Sequence, residues 1–399
     1  IFSNKNLKSI GLMRCQWNYI PIILSILLFF VALYFHSNNK TFVQNTSLPA
    51  DQHNLFSERV DRCASKSLLP DLFDRTRSKN NQMLCQLKLT QYCIRTSPVE
   101  EQEYFYVVAP IYSVNQNVNI LLYDLHRNFK TFCESLGVKF VQVEYIFPHQ
   151  NFILTKPNNE PLDIQIVGQN IFYLRENLVN VAEKKLPEEY EYISWIDAHV
   201  HFDNPYTFQE SIVQLGRHKI VSSLSAIRFK DKENRTTQVT EYPFAYQAYY
   251  HNSTPKSEEG YHLFPYYGLM FATTKDNFRN MNGVPDLCIS GACDVYMSHA
   301  LTDGPININL PKLKDAIEDW TKKAAQKIDR NFGYVKNVLT HYDHYFMLRR
   351  YSNWEGAFDK LRDRNFDPHE DLRRDDNGTL YFVKNFELAY DYWKYYASI

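Results

Sequence analysis

The apolar and polar positions divide the chain into blocks of different character. From Trp17 to Phe35 the run "WNYIPIILSILLFFVALYF" contains no charged side chain, close to the ~20 residues that a helix needs to cross a bilayer. Residues 36–100 are polar and irregular, which suits a stem. At "YFYVVAPIY" (104–112) the pattern becomes that of a buried strand, rich in β-branched and aromatic residues. "NVNILLYDLHRNFKTFCESLG" follows, with Ile120, Leu121, Leu125, Phe129 and Phe132 at helical spacing and a stop at Gly137. "VKFVQVEYIF" and "LDIQIVG" predict two more strands, "LRENLVNVAEKKLP" a helix stopped by Pro187, and "EYISWID" a fourth strand. Further on, "IVSSL", "FPYYGLMFATT" and "PININL" predict strands, some of them antiparallel. The tail predicts an Asn-Gly turn and a Tyr/Trp-rich closing helix.

Strands alternating with helices predict an α/β sandwich with a mixed, mainly parallel sheet. The organisation expected is a cytoplasmic tail over 1–16, a transmembrane signal anchor over 17–35, a stem over 36–100 and one folded domain over 101–399. Lys5, Lys8 and Arg14 precede the apolar run with no acid among them, so the positive-inside rule places the bulk of the chain in the lumen. The sequence "ALYFHSNN" after the run offers no small-x-small cleavage site, which favours an anchor over a removed signal peptide. The sequons at Asn45, Asn234, Asn252 and Asn377, and Cys63, Cys85, Cys93, Cys133, Cys288 and Cys293, all follow the span. Glycosylation and disulfides are both open to such a domain. No C-x-x-C pair occurs to suggest structural zinc, and spacing alone assigns no cysteine pairing.

Charge narrows the partners only by exclusion. With 44 basic and 45 acidic residues and no long basic block, nothing points to nucleic acid. Aromatic residues, 29 Tyr and 27 Phe among them, supply surface that carbohydrate-binding grooves use.

The candidate chemistry sits at "YISWIDAHVHFDNP" (192–205). Asp197 and His199 are two apart, so on extended backbone both point to one side, and His201 follows on that side as a reserve ligand. One carboxylate and one imidazole favour manganese or another transition metal. His-x-His after an aspartate also occurs on the first strand of metal-dependent barrel hydrolases. Such a barrel takes about 250 residues, and the strand and helix units before residue 192 would have no place in it. A surface turn with a stray histidine is the remaining alternative.

Four blocks in order widen the pattern: "LRENLVNVAEKKLPEEYEYISWIDAHVHFDNP", "YYGLMFATTKDNFRNMNGVPDLCISGACDVYMSHAL", "LTHYDHYFMLRRY" and "NFDPHEDLRRDDNGTL". Together they resemble a family of nucleotide-sugar-dependent glycosyltransferases of GT-A fold, known mainly from bacteria, large viruses and protists. The resemblance covers roughly residues 104–390. It implies a GT-A-like α/β/α domain that transfers a sugar from a nucleotide diphosphate donor to a glycan or glycoprotein acceptor, with a divalent cation, Mn2+ being expected. With the anchor, it implies a type II protein of the Golgi or endoplasmic reticulum membrane whose catalytic domain is lumenal.

Carried over position by position, the resemblance makes Asp197 the metal and ribose-phosphate aspartate, with His199 where the family has a second Asp. Glu176, Asn177 and Asn180 match a helix near the nucleotide, although a solvated helix face fits them equally. Asp294 matches the acid of a Gly-x-x-Asp segment and is the expected base of an inverting reaction, removing the acceptor's proton. Its other reading is a cap on "VYMSHAL". His341 matches the family's histidine, with Tyr342 where glycine is usual, and would close the metal shell. Arg350 would pair with the diphosphate as a fixed fork of donors, and His344 reads as a surface residue. The departure at His199 keeps a second class open, a catalytically inactive glycan-binding pseudo-glycosyltransferase.

Overall fold

The computed structural model describes residues 100–112, 120–156, 162–168, 174–231, 235–241, 270–289, 291, 293–302, 308, 310–342 and 359–383. The expected anchor, residues 36–99 of the expected stem, Asn45, Asn234, Asn252, Arg350, His344 and the expected closing helix lie outside them. No helix among the described residues is long and apolar enough to cross a membrane.

After a 3-10 turn at Glu100–Tyr104 come β1 (Phe105–Tyr112), α1 (Ile120–Ser135), β2 (Lys139–Ile146), β3 (Asp163–Val167), α2 (Arg175–Glu183) and β4 (Tyr192–Ile196). These are the elements that the apolar runs predict, to within a few residues. The chain continues through β5 (Val200–Phe202), α3 (Thr207–Leu215), β6 (Ile220–Ser222), β7 (Ala226–Lys230), β8 (Thr236–Glu241), β9 (Met270–Thr274) and α4 (Lys275–Asn280). It closes with α5 (Cys293–Thr302), α6 (Pro311–Ile328), β10 (Phe332–Tyr334), β11 (Val338–Tyr342), α7 (Pro368–Asp371), β12 (Leu372–Arg374) and β13 (Leu380–Phe382).

Seven strands form the central sheet in the order β10-β6-β9-β4-β1-β2-β3. All pairings are parallel except those of β9, which runs antiparallel to both β4 and β6. Strand β1 is buried on both faces, as a central parallel strand must be. Tyr106 and Val108 join the core shared with α2, α4, α5 and α6, while Phe105, Val107 and Ala109 join the core shared with α1 and α3. The result is a three-layer α/β/α sandwich with a mixed, parallel-rich sheet. A second sheet, β5-β11-β7-β8, packs its buried side chains into the α1/α3 core.

Two sequence expectations need correcting. The buried stripe of α1 is Leu122, Tyr123, His126, Phe129 and Cys133, whereas Ile120 and Leu121 are exposed. A polar residue inside the stripe, His126, shifted the apparent face by about a third of a turn. In "PININL" the described positions, 308 and 310, are not in a strand, and Leu310 instead precedes α6, with Pro311 in its first turn.

Candidate active site

The strand order reverses at β1. The chain steps from β1 to β2 and β3 on one side, then returns to place β4 on the other. In open α/β sheets the crevice outside the carboxyl ends of strands at such a reversal is where ligands bind. Asp197 is the first residue past the carboxyl end of β4.

From Asp197 the chain leaves the central sheet for the second one, and this crossing assembles the site. Strand β5 pairs antiparallel with β11, aligning Val200 with His341, and Tyr342 N–H donates to the His199 carbonyl at 3.1 Å. The pairing sets His199 Nε2 2.9 Å from His341 Nε2, with the Phe229 ring 5.4 Å from the buried His341 ring. Asp197, His199 and His341 each direct one ligand atom into a group whose members all lie within 4.8 Å of one another. His201 is not part of that group. It is exposed on β5, aligned with Thr340, and its ring lies 6.1 Å from that of Phe132.

The donor set fits a cation. Metal–nitrogen and metal–oxygen bonds of about 2.1 Å at right angles put neighbouring donors about 3 Å apart, and the two imidazole nitrogens are 2.9 Å apart. One carboxylate and two imidazoles suit manganese, iron, cobalt or zinc rather than calcium.

Behind Asp197 stands a residue to which the sequence reading gave no role. Arg175 Nε lies 2.6 Å from Asp197 Oδ1, and its Nη1 donates to Glu176 Oε1 at 2.9 Å. Arg175 and Glu176 are both buried. Burial pushes the Glu176 carboxyl up, the Arg175 charge pulls it down, and nearby Asp294 pushes it up again, to about 7. Asp294 lies in the first turn of α5, after Cys293, and its Oδ1 accepts from Val295 N–H at 2.9 Å. It is therefore inside the helix rather than capping it, at a place where the helix dipole favours an acid.

Asn177 and Asn180 take a structural position. The Asn177 amide donates to Asp286 Oδ2 and the Gly378 carbonyl, and its oxygen accepts from Leu380 N–H. The Asn180 amide donates to Asp286 and the Val284 carbonyl, and its oxygen accepts from Val284 N–H. Arg374 completes the cluster with two bonds to Asp286, at 2.8 and 2.9 Å. Burial works to raise the Asp286 carboxyl, but the bonds from Arg374, Asn177 and Asn180 outweigh it and hold it below its ordinary value. Gly283, at φ +73°, is required there, since a Cβ would meet Asn180 Oδ1 at 2.3 Å. The amides expected near a nucleotide thus tie α2 to the segment before α5 and to the β12–β13 turn.

No protein-family model matches the chain, and no curated protein matches it. Among solved structures it is similar to a Drosophila β1,4-galactosyltransferase 7 mutant in complex with manganese, UDP-Gal and xylobiose, at 15% identity and TM-score 0.27 over 51% of this chain. The match spans 66% of the galactosyltransferase, just under two thirds of its length. It is also similar to an inositol-1-phosphate CTP transferase from T. maritima, at 13% identity and TM-score 0.30, over 62% of this chain and 93% of that one. A third similarity is to a 4-diphosphocytidyl-2C-methyl-D-erythritol synthase from Anaerococcus prevotii, at 8% identity and TM-score 0.28, over 60% and 89%. Scores this low carry no weight beside the strand order and the site geometry.

Proposed function

We propose that this chain is a metal-dependent glycosyltransferase that moves a sugar from a nucleotide diphosphate donor to a glycan or glycoprotein acceptor. We further propose that it does so as a type II, single-pass protein of the Golgi or endoplasmic reticulum membrane, with the segment 17–35 as anchor. The observation that carries the chemistry is the convergence of Asp197, His199 and His341 just beyond β4, at the strand-order reversal.

Asp197, His199 and His341 would hold the cation through one oxygen and two nitrogens, with Mn2+ as the expected ion. Bound there, it would supply a positive charge against which a leaving diphosphate is stabilised. Arg175 holds Asp197 through Oδ1, which restrains the carboxylate from the protein side. Arg350 is assigned to the diphosphate from the sequence pattern. Asp294 is the proposed base, taking the acceptor hydroxyl's proton onto a carboxylate oxygen as the anomeric carbon is attacked from the opposite face, so that configuration inverts. Glu176 holds its proton up to about pH 7, so below that pH it has no free carboxylate with which to take the acceptor's proton.

The test is to incubate the purified chain with Mn2+ and a panel of nucleotide sugars, following donor hydrolysis and transfer to glycan acceptors. Turnover with one donor, lost on chelation, supports the proposal. Glycan binding without turnover of any donor would overturn it and leave the pseudo-glycosyltransferase reading.

A further inference from the structure

Cys288 and Cys293 lie on either side of a turn directly before Asp294. Each is 1% exposed, and both belong to the core on the α2/α5/α6 face. Gly291 N–H donates to the Cys288 carbonyl at 2.8 Å, and Gly291 has φ +100°, a backbone conformation that side-chain-bearing residues rarely take. The chain thereby folds back and places the two thiols, both free in this structure, in the same core a tight turn apart, near enough for each to shift the other's ionisation. The other described cysteine, Cys133, is buried in the core on the opposite face of the sheet, where it cannot compete for either.

We infer that Cys288 and Cys293 form a disulfide that closes this turn and holds the first turn of α5, with Asp294, against Glu176. The bond forms by thiol–disulfide exchange with a disulfide donor such as oxidised glutathione. One cysteine thiolate attacks a donor sulfur and releases one donor thiol. The second thiolate then displaces the other half of the donor. Two cysteine thiols become one disulfide, one donor disulfide becomes two thiols, and both protons end on the donor. The attacking species is the thiolate, and burial pushes both thiols up, Cys293 well above its ordinary value. The exchange therefore belongs to folding, before the turn packs, and the same burial afterwards shields the bond from reductants. A short covalent ring in the segment carrying the proposed base restricts the backbone where positioning matters most.

The pairing rests on the lumenal placement proposed above only for the source of oxidant. The full chain, reduced and unfolded, is refolded in detergent with reduced and oxidised glutathione. Remaining thiols are then alkylated in denaturant, and the chain is digested with trypsin. Both cysteines fall in the peptide between Arg279 and Lys312. The expected peptide carries no alkyl group and is lighter than its reduced form by two hydrogen atoms. The doubly alkylated peptide, or a peptide joined to one containing Cys63, Cys85, Cys93 or Cys133, would overturn the inference. Chain taken directly from a secretory host is analysed in parallel. An oxidised pair after refolding, with free thiols in the secreted chain, would count against the compartment and leave the pairing standing.

Discussion

His199 and His341, separated by 142 positions in sequence, bring their Nε2 atoms to 2.9 Å. Two imidazoles at that distance share a hydrogen bond or share a cation, and only the second uses Asp197 as well. The prediction is that Mn2+ raises the melting temperature of the wild-type chain, by the equivalent of ~2.7 kcal/mol at a hundredfold excess over its dissociation constant. Asp197→Asn and His341→Ala should abolish that rise and the turnover together. His199→Asp restores a harder oxygen donor and should keep binding while moving preference toward Mg2+. Titration calorimetry with each ion reads this directly, and an undiminished Mn2+ response in Asp197→Asn would remove the loop from the site.

The sheet was legible in sequence wherever strands were long and buried. "YVVAP", "FVQVEYI" and "YISWI" sit in β1, β2 and β4, and such runs admit few alternatives. The second sheet was not legible. Strand β5 has three residues, and it is defined by its pairing with β11 more than a hundred positions away, which no local pattern records. Asp197 and His199 could be singled out because they end a clear strand, and His341 because a motif accompanied it. Arg175 could not, because a basic residue next to an acid at a helix start reads as ordinary surface charge. Only burial reveals that it joins Asp197 to Glu176.

Glu176 sets a stability slope. Its unfolded carboxyl loses its proton near pH 4.5, while the folded one keeps it to about pH 7. Between these values the folded state binds the extra proton, so this group's contribution to stability falls as pH rises, by ~3 kcal/mol in all. Glu176→Gln removes the titration. Denaturant melts at pH 5 and pH 8 should therefore show the variant gaining on wild type at the higher pH. An equal difference at both pH values would mean that Glu176 is ionised throughout.

His126 sets the opposite slope. Burial, with the charges of Lys130 and Arg127, lowers its imidazole from 6.5 to about 3, and its Nε2 makes no hydrogen bond. Below pH 6.5 the unfolded chain takes up a proton that the folded chain refuses. Stability supplied above that pH is thus progressively lost on acidification, by ~5 kcal/mol down to pH 3. His126→Leu keeps the ring's place beside Phe140 apolar and should lower the midpoint of acid unfolding, followed by circular dichroism. An unchanged midpoint would mean that the imidazole gains its proton without unfolding.

Asp294 and Glu176 lie near enough for the charge of one to raise the carboxyl of the other, and which of them accepts the acceptor's proton can be decided by neutralising one at a time. Asp294→Asn removes a charge from the first turn of α5, where the dipole interaction is worth ~0.3–1 kcal/mol, so the fold should survive. If Asp294 is the base, the chemical step falls by about a hundredfold to ten-thousandfold, with donor affinity little changed. The same substitution also takes away the negative charge that helps push the Glu176 carboxyl up. Were Glu176 the base, the Asn variant would keep its turnover, and the acid limb of its pH–rate profile would move to lower pH because Glu176 would ionise more easily. Turnover lost at every pH assigns the proton to Asp294, and turnover kept with a shifted acid limb assigns it to Glu176. Glu176→Gln gives the complementary result: near-normal turnover with Asp294 as base, and a loss of the same order without it.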